Sequence, residues 1–190
     1  FADQKLLDRM RSLLDEAKGM RHQLDTIKSL ASDLINEVHN ESATAHIRNE
    51  VKDVEERYNK LLAKLEEKCK SLDALTSTLK SFNMQLADIQ NELNRLEEVL
   101  NNMSPIARNQ NALKAQLDEI KDFRNQLGKV DKKLKDADAL YKKLKEQNYN
   151  IDSSVNRFQL DNMNRQYARL DENSNQRLKG ILDMIDKLKA

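Results

Sequence analysis

The chain of 190 residues holds one proline, Pro105, and three glycines, Gly19, Gly128 and Gly180. A β-sheet protein needs turn residues about every 8–12 positions, and punctuation this sparse does not provide them. Tryptophan is absent, and the aromatics amount to four phenylalanines and four tyrosines. So few large rings fit a core strung along thin bundles and filled by Leu, Ile and Met better than a compact globule. Neither sign of charge prevails: 33 Lys and Arg stand against 32 Asp and Glu, leaving +1. The two signs are interleaved, so no basic stripe of the kind that tracks phosphates is visible. A run of about 20 nearly uncharged residues, the length of a membrane span, occurs nowhere, and no signal-peptide pattern begins at Phe1. Cys69 is the one cysteine; it has no internal partner, which favours a reducing compartment. Two N-x-S sequons, at Asn40 and Asn102, read as chance in a chain this rich in asparagine.

What the chain does have is charge, at 34% of residues, and a heptad that does not slip. One column reads Val51, Tyr58, Leu65, Leu72, Leu79, Leu86, Leu93, Leu100. The second reads Val54, Leu61, Lys68, Leu75, Phe82, Ile89, Leu96, Met103, with Lys68 its single polar member. Residues three and four apart share a helix face, so the columns form one apolar stripe. A helix over 44–103 is roughly 60 residues, on the order of 90 Å, at 1.5 Å per residue. No single globular core is that long. The segment is therefore a coiled coil or a helix shared by consecutive bundles.

Pro105 ends this helix, because the residue before a proline is pushed out of the helical region. Further breaks fall at His39-Asn40-Glu41-Ser42 and at Asn148 to Ser154, where cap-forming residues cluster. The expected helices are 3–39, 44–103, 109–147 and 153–189. They repeat. Shifting the first onto the third by 110 positions pairs Leu7 with Leu117, Leu13 with Phe123, Met20 with Val130, Leu24 with Leu134, Ile27 with Ala137 and Leu34 with Leu144. Shifting the second onto the fourth by 109 pairs Val54 with Met163, Tyr58 with Tyr167, Leu61 with Leu170, Cys69 with Leu178 and Leu79 with Leu188. Neither offset is a multiple of seven and the loops align as well, so heptads alone do not explain the match.

A period near 109, a helix running through the junction and an aromatic inside Glu56-Arg57-Tyr58-x-x-Leu61 together resemble the spectrin repeat. The resemblance implies an all-α fold of tandem three-helix bundles, A, B and C, in which helix C of one repeat continues as helix A of the next. On that template 1–77 is a partial repeat holding helices B and C, and 78–190 is a complete one. The first bundle lacks its helix A. Tyr58 and Tyr167 stand where spectrin itself usually has tryptophan. The stretches Ser104-Pro105-Ile106 and Gln116 to Lys121 look most like the divergent repeats of spectraplakins, in the plakin family, with nesprins or dystrophin next.

Chemistry-bearing patterns are missing. There is no Gly-rich phosphate loop, HExxH, CxxC, EF-hand or Gly-x-Ser-x-Gly, so no catalytic, cofactor-binding or metal-ligating residue is assigned and no enzyme is expected. His22, His39 and His46 read as helix-surface histidines. Glu55-Glu56, Glu66-Glu67 and Glu97-Glu98 read as solvated faces. Cys69 reads as a small buried hydrophobe, and Lys68 as a side chain that snorkels out or marks a change of contacts.

The resemblance implies a structural rod or spacer in a large cytoskeletal linker of actin, microtubules or intermediate filaments, cytoplasmic or at the nuclear envelope. Filament contacts would come from domains elsewhere, with no nucleic acid or membrane bound by this segment. The alternative is an interaction module whose apolar seam over 3–77 takes a partner helix or a second copy. A parallel homodimeric coiled coil is the third reading, and the loops and the repeat oppose it.

Overall fold

A computed structural model describes residues 4–147 and 153–190. Its regular structure is entirely helical: α1 (Gln4–Gly19), α2 (Arg21–Glu37), α3 (Glu41–Asn101), α4 (Gln110–Gln147) and α5 (Ser154–Lys189). These form two compact units, one ending at Thr78 and the other running Leu79–Ala190. The 61-residue α3 contributes to both without a break.

Asparagines set two of the helix starts. Asn40 accepts at Oδ1 from Ala43 N (3.2 Å) and at its carbonyl from Thr44 N (2.9 Å), which satisfies first-turn donors of α3. Asn109 does the same for α4, accepting from Ala112 N (2.9 Å) and Leu113 N (3.0 Å). The first sequon's asparagine is thus a cap. Between α3 and α4 the chain turns through Pro105, held by one side chain. Gln116 donates to the Pro105 carbonyl and accepts from Ala107 N, both at 2.9 Å.

In Leu79–Ala190, cross-helix bonds fix the directions. Arg124 reaches Asp171 and Arg157 approaches Asp138, so α4 and α5 are antiparallel. Asn156 Nδ2 donates to Asn83 Oδ1 (3.0 Å) and Gln166 Nε2 to Asn94 Oδ1 (3.0 Å), so α5 runs parallel to 79–101. The three helices close round Phe82, Leu93, Leu113, Ile120 and Leu160, all fully buried. Burying such a side chain is worth about 1.5–3 kcal/mol, so this unit has a complete core.

The described residues of the unit that ends at Thr78 form two layers. α1 and α2 lie antiparallel to the first part of α3, with Lys28 Nζ 2.8 Å from Glu55 Oε1 and Arg11 paired with Asp73. One helix was expected over 3–39, and the structure divides it at Met20. Met20 N bonds both Glu16 O and Ala17 O (3.1 and 3.2 Å), a tightened turn beside Gly19. The Ala17 carbonyl also accepts from Tyr58 Oη at 2.6 Å. A glycine and a tyrosine that takes up a backbone acceptor account for the irregularity. Part of the expected loop at Asn148 to Ser154, residues 148–152, lies outside the described residues.

Candidate interaction surface

The two heptad columns of the first unit meet different surroundings. On α1 and α2, Ala17 and Leu24 are buried against α3. The other column, Leu6, Leu13, Met20, Ile27 and Leu34, faces outward. On α3 the column Val54, Leu61, Lys68 is likewise exposed, while Val51, Tyr58, Leu65 and Leu72 are half-buried. The internal repeat makes the comparison like for like. Leu13, Met20, Ile27, Leu34, Val54 and Leu61 are between 43% and 54% exposed. Their counterparts Phe123, Val130, Ala137, Leu144, Met163 and Leu170 are between 1% and 3% exposed.

The second unit differs in having a third helix. Residues 79–101 bring Leu79, Phe82, Leu86, Ile89, Leu93 and Leu96 onto α4 and α5, all buried. Among the described residues, no third helix covers the corresponding face of the first unit. Six large side chains left about half exposed forgo on the order of 1 kcal/mol each. A contiguous apolar strip of this kind differs from the ordinary scatter of single exposed hydrophobes.

The filled groove also carries polar contacts that the apolar pattern did not single out. Gln166, nearly buried on α5, accepts from Gln90 Nε2 (2.8 Å) and donates to Asn94 Oδ1 (3.0 Å) and Glu97 Oε2 (3.1 Å). Ser174, fully buried, accepts from Arg124 Nη1 at 2.7 Å and donates to Asp171 O at 3.1 Å. The available signal was position: Asn156 and Ser174 each stand seven residues from a heptad member, Met163 and Tyr167. Glu97, read as solvated, instead touches Gln166.

Electrostatic shifts are those of surface pairs and burial. A hydrogen bond from Arg95 holds Glu92 below its ordinary carboxylate range, and Arg157 does the same for Asp161. Burial, with Asp131 and Asp171 nearby, pushes the Tyr167 phenol up. His22, His39 and His46 are exposed, and among the described residues no three His, Cys, Asp or Glu side chains gather as a metal site. Cys69 is buried and Lys68 exposed. An open groove between 79–101 and α5 is lined by Asn83, Ala87, Gln90, Val155 and Gln159, with no titratable group to act as acid or base.

The sequence matches the Spectrin repeat family over residues 77–183, the span of the three-helix unit. The chain belongs to the spectrin-repeat family. A second match, to the coiled-coil region of exocyst complex component Sec3, covers residues 27–123. It follows the long heptad of α3 and straddles both units, where the spectrin-repeat match follows one. Microtubule-actin cross-linking factor 1 of Rattus norvegicus is 19% identical over 98% of this chain and 4% of its own length. Isoforms 1/2/3/4 of that factor in Mus musculus are 18% identical over 98% of this chain and 3% of theirs. The likeness to spectraplakin repeats therefore holds along nearly the whole chain, which spans a few per cent of those relatives. No solved structure matches it. Among the described residues no helix is long and apolar enough to cross a membrane.

Proposed function

We propose that this segment is a non-enzymatic rod or spacer of a large cytoskeletal linker, cytoplasmic and cytoskeleton-associated. In it 1–77 is a partial spectrin repeat of helices B and C, and 78–190 is a complete repeat. The observation that carries the reading is α3, one 61-residue helix belonging to both units. Its hydrogen bonds run along its axis, so tension passes from unit to unit through an unbroken backbone ladder. The relatives, which are named as cross-linkers of microtubules and actin, support the same reading. Single-molecule pulling tests it. Opening of Leu79–Ala190 should give a discrete contour-length step of about 300–350 Å, from about 3.3–3.6 Å per extended residue less the folded length. Smooth extension with no such step would count against a force-bearing repeat.

The exposed groove favours a second role alongside the first: a site that accepts a third helix. Joining an A-type helix ahead of residue 1 should bury the seam and raise the stability of the first unit. Sedimentation of the chain with and without that helix, together with melting, decides. Equal stability in both forms, each a monomer, would rule the role out.

A further inference from the structure

We infer that the open groove of the first unit selects a helix with an acidic edge, lying parallel to the 44–78 part of α3. This rests on reading the seam as a helix-binding site and adds the chemistry of the occupant.

The filled groove supplies the template. On α5, two residues of one row reach the helix that fills it, and a third reaches the turn just after that helix. Gln166 bonds Gln90, Asn94 and Glu97; Arg169 Nη2 lies 4.0 Å from Glu97 Oε1; Arg177 Nη2 donates to the Ser104 carbonyl at 2.6 Å. With Asn173 between them, the row 166, 169, 173, 177 runs along the edge of α5 that borders its third helix at 166 and 169 and the following turn at 177. Spacings of three and four keep it on one side.

Moved back by the repeat offset, the same edge on α3 reads Arg57, Lys60, Lys64, Lys68. Two amides and two arginines become four cations. All four are exposed; Arg57, Lys60 and Lys64 lie beside Val54 and Leu61, and Lys68 continues that open column. Among the described residues, the acid within ion-pair distance of this row is Asp53, 3.1 Å from Arg57 and itself half exposed. A helix seated as 79–101 is seated in its own groove would set one edge along Arg57, Lys60 and Lys64, with Lys68 beside the chain that follows it. A basic or neutral edge there leaves four like charges together; an acidic edge answers them. The apolar side of such a helix follows the template too, with large residues at spacings of three and four. A second copy answers the row poorly with its own α3, because that helix carries the same four cations beside its apolar column.

The probe is a capped, fluorescent peptide of residues 79–101, added to the whole chain. One version carries Gln90→Glu, Asn94→Glu and Asn101→Glu with Glu97 kept; another carries Glu97→Gln. The acidic version should bind about tenfold more tightly at low salt, since each exposed pair brings roughly two- to threefold. Raising salt to about 0.5 M, where charges are screened within a few ångströms, should erase most of the gap. A chain with Arg57, Lys60, Lys64 and Lys68 all changed to Gln should bind the two peptides alike, and Leu61→Asp should bind neither. Equal binding of both peptides to the natural chain overturns the acidic edge and leaves the seam as a helix site. Binding of neither to a folded monomer removes both. A dimer that the acidic peptide does not displace makes a second copy the occupant and overturns the inference.

Discussion

Leu170 and Leu61 hold the same place in the internal repeat and differ in what covers them. Leu170 is 2% exposed and Leu61 54%. Truncating the first leaves a cavity among three helices, so Leu170→Ala should cost about 2–5 kcal/mol in urea unfolding. Leu61→Ala removes atoms that water already reaches and should cost under about 1 kcal/mol. Similar losses at both would mean that the groove is filled. Gly128 tests helix propensity in isolation. It lies inside α4, and an added Cβ meets nothing within 4 Å. Gly128→Ala should therefore stabilise by about 0.5–1 kcal/mol through backbone entropy. Lys68 shows what a side chain's surroundings add to its heptad position. It breaks an apolar column, yet that column is the open one, so its ammonium stays in water at no burial cost.

At the scale of elements, spacing, with Pro105 and the cap-residue clusters as stops, made the helices and the repeat readable. A heptad fixes which residues share a face, and two offsets that are not multiples of seven exclude coincidence. The division of the first helix at Met20 was not readable, because it depends on a partner 41 residues away: Tyr58 Oη on the Ala17 carbonyl. Tyr58→Phe should cost about 0.5–1.5 kcal/mol, the net worth of such a bond. It should also relax the turn, giving more uniform amide protection across 16–24 by hydrogen exchange. Unchanged stability and protection would show that Gly19 alone sets the break. The polar contacts of Gln166 and the cation row at Arg57 to Lys68 escaped notice for a related reason. Periodicity marks the apolar faces; which polar edge borders a third helix emerges only once 79–101 is seen against α5. Interleaved charge along the sequence therefore hid a row of one sign along the helix.

Across the whole molecule, the division is between a unit with a closed three-helix core and a unit of two layers joined to it in sequence by α3. A closed bundle resists opening and suits a spacer, while a two-layer unit with an exposed seam is less stable until a third helix covers it. Hydrogen exchange on the 190-residue chain, at a concentration where sedimentation gives a monomer, measures this directly. Amides of 82–101, α4 and the buried part of α5 should exchange slowest. Those of α1, α2 and 44–70 should exchange faster by at least about 100-fold, a gap of roughly 2.8 kcal/mol at 1.4 kcal/mol per factor of ten. Equal protection in the two units of the monomer would contradict the account, since the first would then hold a closed core without a third helix.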